Sequence, residues 1–191
     1  MAGIACAGHW VSDRIKIINY WPQKFEQCHI LSETMSAGGA PLNVVVDLAN
    51  LQTGIPIYGF GCLGDDLEGH AIIELCKSKS INLDYLHVLE DESTSYTDVM
   101  VVNNTGERTL FHNSGANARF NIEHVPVDDL VRRQIKMFYL GHLLFVKALD
   151  AHDPEYGCVS ARLLHKVQQA GIETVVDVAT ENSDRYQQVV N

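Results

Sequence analysis

Short apolar runs of β character alternate with helical patterns along this chain, and that alternation restricts it to layered α/β architectures. IACAG (4–8) reads as a first strand. PLNVVVDLANLQT (41–53) reads as a helix, with Pro near its start, apolar residues at helical spacing and Gly54 at its stop. IPIYGFG (55–61) is strand-like, and DDLEGHAIIELCKSKS (65–80) opens with acids and closes with lysines, as a helix dipole favours. FYLGHLLF (138–145), VSARLLHKVQQAG (159–171) and ETVVDVA (173–179) continue as strand, helix and strand. The 191 residues, 46% of them hydrophobic, suffice for one substantial core, so one α/β domain over 1–191 is expected.

Two stretches break the alternation. Residues 14–36 hold IKIINYW and QCHILSETM with no helix between them. Residues 94–114 hold SYTDVMVV and RTLFH around NNTGE, whose Asn, Thr and Gly suit a hairpin turn. Four extended pieces without crossover helices point to a small separate sheet beside the main layer; the plainer alternative is a set of edge strands.

Composition removes several function classes. Fourteen basic residues against 24 acidic ones give a net charge of −10, and no Lys/Arg cluster offsets it, so nucleic acid is not an expected partner. MAGIACAGHW has neither the basic start nor the apolar core of a signal peptide, and no later run approaches the ~20 apolar residues of a membrane span. The five cysteines are odd in number and widely spaced, which fits reduced thiols in a cytoplasmic protein. The nine histidines lack metal-ligand spacing, so no metal site is expected from them.

GFGCLG (59–64) matches GxGxxG between a strand and a helix, with Asp84 about 20 residues on, and would suit a nicotinamide-dependent oxidoreductase. The chemistry opposes that reading. A pyrophosphate would sit on the helix N-terminus, where Asp65 and Asp66 already stand and their carboxylates can take the free backbone N–H groups.

Four stretches, AGHWVSD near the start, AGGAPLN (37–43), GFGCLGDDLEG (59–69) and STSYTDVMVVNNTGERTLFHNSGAN (93–117), with a weaker VVDVATENSDR (175–185), run in order along the chain. Together they resemble the ribokinase-like (PfkB-type) carbohydrate kinases. The resemblance implies a three-layer α/β/α, Rossmann-like fold with a small β-sheet lid over a sugar site. It implies ATP-dependent phosphorylation of a hydroxyl on a sugar or nucleoside, with ATP and Mg2+ as cofactors. It casts Asp13 as acceptor of hydrogen bonds from sugar hydroxyls, where the plain alternative is a turn aspartate at a strand end. Gly38 and Gly39 would let substrate approach the backbone, and Asn43 would add an amide or else serve only the helix start. Thr97, between Tyr96 and Asp98, would begin a lid strand. Asn117 fits either a substrate contact or a turn. Gly141, followed by His142, would lie at a strand end, where open sheets place ligands. Val11 stands where the family can carry a polar residue, which leaves the sugar class open.

The family's GAGD and NxxE segments are absent from this sequence, so the resemblance implies an amino-terminal part of a longer enzyme, with the general base beyond residue 191 and no catalytic residue here. The rival class is a non-catalytic sugar-binding or regulatory protein. Exposed lid edges make a homodimer through the lid an expectation as well.

Overall fold

The structure, a computed structural model, describes residues 2–179 and 185–186. Its elements run β1 (Gly3–Gly8), β2 (Val11–Ile18), β3 (Ile30–Gly38), α1 (Ala40–Asn50), β4 (Ile57–Gly64), α2 (Leu67–Ser78), β5 (Asn82–Leu89), β6 (Tyr96–Val102) and β7 (Arg108–Asn113). After two short 3-10 turns come α3 (Val127–Arg132), β8 (Ile135–Leu143), the two-residue strands β9 (His152–Asp153) and β10 (Gly157–Cys158), α4 (Val159–Gln169) and β11 (Glu173–Val178). The tail of VVDVATENSDR lies mostly outside the described residues, as does YQQVVN apart from its tyrosine.

Five parallel strands in the order β11-β8-β1-β4-β5 form the main sheet. Alternate residues of its central strands feed two separate cores. Ala5, Ala7, Phe60 and Cys62 join Phe138, Leu130 and Leu163 on the α3/α4 side. Cys6 and Leu63 join Leu42, Val45, Ile72 and Cys76 on the α1/α2 side. Strand side chains alternate across a sheet, so two filled faces make three layers. Burial pushes the Cys6, Cys62 and Cys76 thiols up to about 12, which keeps them unreactive packing groups.

The four extended pieces outside this pattern form one second sheet, β3-β2-β6-β7, with β2 and β6 parallel and both outer pairs antiparallel. It leaves the main sheet directly from the C-terminal end of β1, with only His9 and Trp10 between β1 and β2.

Several boundaries differ from expectation for local reasons. α1 ends at Asn50 because Gln52 turns left-handed (φ 51°) and its N–H returns to the Ala49 carbonyl. β5 escaped notice because it is an edge strand of half-exposed residues with no clear apolar alternation. β4 runs through Gly64, so the GxGxxG stretch is strand rather than a turn after a strand.

The glycines of that stretch have a packing purpose. A Cβ on Gly59 would sit 2.7 Å from the Trp10 ring, and one on Gly61 would sit 2.6 Å from its Nε1, so the two leave a trough for the indole. At the end of the motif Asp66 caps α2, accepting from the Gly69 N–H at 2.8 Å and from the Thr94 N–H and hydroxyl at 2.7 Å. Burial opposes ionisation of Asp66, but the hydrogen bonds from Thr94, Gly69 and Glu68 outweigh it and hold the carboxyl below its ordinary value. A pyrophosphate thus meets a carboxylate at the helix end and an indole over the glycines. Gly61→Ala is expected to overpack this trough and destabilise the chain by about 1–3 kcal/mol. A lower urea midpoint at unchanged slope would show it, and NADH fluorescence should show no specific binding.

Candidate functional site

The site grows from the junction between the two sheets. Trp10 follows Gly8 and His9 at the end of β1, lays its ring in the Gly59/Gly61 trough and donates from Nε1 to the Phe60 carbonyl at 2.8 Å. Asn117, fully buried, holds the same residue from the other side. Its Oδ1 accepts from the Trp10 N–H at 3.1 Å, and its Nδ2 donates to the Trp10 carbonyl at 2.6 Å. Both ends of this amide are committed to backbone, which makes Asn117 a clamp on the junction and leaves it no surface for a ligand.

Three residues on, Asp13 lies inside β2 rather than in a turn. It is half-buried, and its carboxylate packs flat over Gly38, where any Cβ would collide with Oδ2. Gly39, at φ 89°, caps α1 in a conformation that L side chains rarely adopt, and a Cβ there would strike the His9 carbonyl. Asn43 is exposed in the first turn of α1, its N–H bonded to the Gly39 carbonyl at 3.0 Å. Neither the Asp13 carboxylate nor the Asn43 amide is hydrogen-bonded to a side chain among the described residues. Burial pushes the Asp13 carboxyl up from its ordinary value, a cost that ligand hydroxyls donating to the carboxylate would offset.

The register of the small sheet sets one row across all four strands: Ser36, Asp13, Thr97, His112. Paired residues share a face, so a hydroxyl, a carboxylate, a hydroxyl and an imidazole stand side by side. Gly141 belongs to a different contact. It lets β1 and β8 approach, its carbonyl accepting the His9 N–H at 2.8 Å, and its own Cα faces Tyr139 and Ala40. Asp13, Gly38, Gly39 and Thr97 are therefore brought together, Asn43 stands one helical turn beyond Gly39, and Gly141 supports His9 from behind.

Sequence reasoning missed a histidine cluster beside this row. His9, 4% exposed, places Nε2 3.2 Å from His112 Nε2, and its ring centroid lies 5.9 Å from that of His142 and 5.5 Å from that of Phe145. His142 Nε2 is in turn 3.1 Å from Asp177 Oδ2, at the end of β11. The residues come from four separate strand ends, so no sequence spacing announces them; the available signal was His9 directly after the first strand. No group of three His, Cys, Asp or Glu side chains among the described residues is placed to hold a metal ion.

Burial first, and then the imidazoles of His112 and His142, drive His9 down to about 3 from an ordinary 6.5. His112 is lowered by burial and by His142. Both rings are neutral in the fold, whereas an unfolded chain protonates them below about 6.5. Their contribution to stability is thus complete above pH 6.5 and is lost as pH falls below it, for His9 down to about 3. The melting temperature is expected to drop between pH 7 and 5, before most carboxylates titrate, and His112→Phe should flatten that drop. A wild-type melting temperature unchanged over this window would show that the rings are hydrated.

Residues 17–190 match the model of the pfkB family carbohydrate kinases. An ATP-dependent ribose-1-phosphate kinase of Halopiger xanaduensis is 24% identical over 185 residues, covering 97% of this chain and 57% of that protein. The fold is that of the Arabidopsis thaliana ribokinase complexed with ribose and ATP (TM-score 0.76, 22% identity, 96% of this chain and 55% of that one). It is also that of the Giardia lamblia ribokinase (TM-score 0.78, 17% identity, 99% and 54%). The chain spans little more than half the length of these relatives. By its match over nearly the whole sequence, the chain belongs to the pfkB family of carbohydrate kinases.

Proposed function

We propose that this chain forms the acceptor side of a kinase that moves a phosphoryl group from ATP to a hydroxyl of a sugar or sugar-like substrate, with the small sheet as a lid. The observation that carries the reading is Asp13: a half-buried carboxylate without a side-chain partner among the described residues, laid on Gly38 at the root of the lid face. It lies in register with Thr97, just past the C-terminal ends of the main strands. A carboxylate there is an acceptor only, which suits the donating hydroxyls of a sugar. Gly38 and Gly39 form the floor, and Asn43 offers an amide from the rim. The relatives named for ribose 1-phosphate and solved with ribose support a sugar acceptor.

The lid's contribution is to exclude water, which competes with the sugar hydroxyl for the phosphoryl group. ATP and Mg2+ belong to the reading through the family. The described residues do not themselves fit either group: no acidic cluster is placed for a metal, and the glycine-rich stretch is filled by Trp10 and closed by Asp66. No transfer step is assigned to them, and the proposal gives the general base to residues outside this sequence. A cytoplasmic setting, where ATP is supplied, is part of the same reading.

The test is mass spectrometry of products from full-length protein, Mg-ATP and a panel of pentoses, hexoses, sugar phosphates and nucleosides. A phosphorylated sugar is expected. Binding of a sugar without any product would favour the non-catalytic binding protein instead. Asp13→Asn, which keeps shape and removes charge, is expected to lower kcat/KM on the order of a hundredfold with an unchanged unfolding midpoint; unaltered kinetics would remove Asp13 from the site.

The reading also includes a homodimer through the lid. β3 and β7 are the open edges of the small sheet, and they carry Leu31, Met35, Leu110 and Phe111, each at least half exposed. Light scattering is expected to give twice the chain mass at micromolar concentration, and a monomer there would overturn it.

A further inference from the structure

The hydrogen bonds behind Thr97 fix where each proton lies. The Ser95 hydroxyl has a single proton, and it is given to the Asn113 carbonyl at 2.9 Å. Ser95 Oγ therefore faces His9 Nε2, 3.5 Å away, with lone pairs alone, and that approach is attractive only if Nε2 carries a proton. The other nitrogen of the same ring gives an independent indication. His9 Nδ1 is buried with no partner among the described residues, and a bare acceptor is tolerated in such a place better than an orphaned N–H. A neutral His9 is thus protonated on Nε2.

The rest follows by elimination. The His9 Nε2–H also points at His112 Nε2, 3.2 Å away, so that nitrogen is the acceptor. A neutral His112 then holds its proton on Nδ1, which lies 3.1 Å from Thr97 Oγ1 and donates to it. The Thr97 oxygen receives a hydrogen bond from behind, and its own proton remains to be given forward. On the adjacent strand, in register with Thr97, stands Asp13.

We infer that the Asn113 carbonyl, acting through Ser95, His9 and His112, sets Thr97 as a hydrogen-bond donor beside the Asp13 acceptor, so that the pair takes one substrate hydroxyl that donates to Asp13 and accepts from Thr97. His9, Ser95 and His112 are positioning residues in this arrangement; Thr97 is the group that meets the ligand. The ligand half of the inference rests on the acceptor-site reading above, while the proton order does not. A hydroxyl held from both sides discriminates against an analogue lacking it, because both site groups would then be left unpaired. The charged and titratable neighbours facing the chain are Asp13 on β2, and His142 with Asp177 behind it on the main sheet.

Long-range proton–nitrogen NMR correlations on the 15N-labelled full chain, above neutral pH, read the tautomers directly. His9 is expected with Nε2 protonated and His112 with Nδ1 protonated; the reverse form of either ring overturns the inference. Ser95→Ala removes the anchor and is expected to turn His112 into a mixture of tautomers, and an unmoved His112 would overturn the role given to the Asn113 carbonyl. D-ribose is the binding probe. Thr97→Val is expected to weaken it by about tenfold and Thr97→Ser to restore it, with Ser95→Ala weakening it about threefold. Unchanged affinity in Thr97→Val would overturn the donor role even with the tautomers as expected. Should the wild-type chain bind no ribose while the tautomers stand, the proton order is upheld and the acceptor-site reading for this sugar fails.

Discussion

The site depends on how Trp10 is held. Only two residues separate the first strand of the main sheet from the first strand of the small one, and Trp10 is the second of them. Its ring is seated over two glycines of β4, its Nε1 is bonded to the carbonyl between them, and its backbone is gripped at both ends by Asn117. A fully buried indole and three hydrogen bonds that satisfy every polar group of Trp10 make this joint stiff. His9 on one side and Asp13 on the other inherit their positions from it. What resembles a nucleotide-binding fingerprint at 59–64 is therefore the seat of a joint. The two readings differ in what the glycines admit: in one a phosphate, here an indole.

The small sheet is tied down on one face and open on the other. On the tied face Arg14 makes a bidentate pair with Glu68 of α2, at 2.6 and 2.9 Å, and stacks 3.8 Å over the Tyr96 ring, while Lys16 pairs with Asp98 and Glu33. The opposite face carries the row Ser36, Asp13, Thr97, His112 with Ile15, Val99 and Leu110 in the row above it. The period of two along each strand is what keeps these roles apart: Asp13 and Arg14 are neighbours in sequence and face opposite ways. The Arg14–Glu68 pair ties the sheet to α2, while the Lys16 pairs brace its own strands against one another. In the proposed acceptor site the polar row would meet the ligand at its root, with the apolar row above it.

The layers and the family were legible because they depend on local pattern. Apolar periodicity in α1, α2 and α4 and the glycine-bounded β runs gave the three layers, and the missing crossover helices gave the second sheet. Asp13, Gly38 and Gly39 could be singled out because they lie in short matching stretches, and the Asp13 carboxylate leaves no room for a side chain at Gly38. Asn117 lay in such a stretch too, but its partner is 107 residues away, and nothing local shows that both ends of its amide are taken. The histidine cluster is the extreme case. His9 and His112 are 103 residues apart, and only the return of β7 to the junction brings them within a hydrogen bond. Contacts made by topology rather than by periodicity leave no mark on spacing.

That His9 and His112 are neutral matters for the carboxylate near them. A protonated His112 would place a cation two strands from Asp13, where low surrounding polarity lets charges act over such distances. An ion pair would occupy oxygens that the site needs for hydroxyl donors. Burial and the neighbouring imidazoles hold His9 and His112 neutral, and the proton that remains on each of these two rings orders its neighbour instead. Asp13 therefore has no ion pair with a protein cation among the described residues, and in the inferred proton order Thr97 stands beside it as a neutral donor. A carboxylate alone would accept from any hydroxyl that reached it. With a donor whose direction is set from behind, as inferred above, the pair would require a hydroxyl in one place and in one orientation, which would favour a polyol.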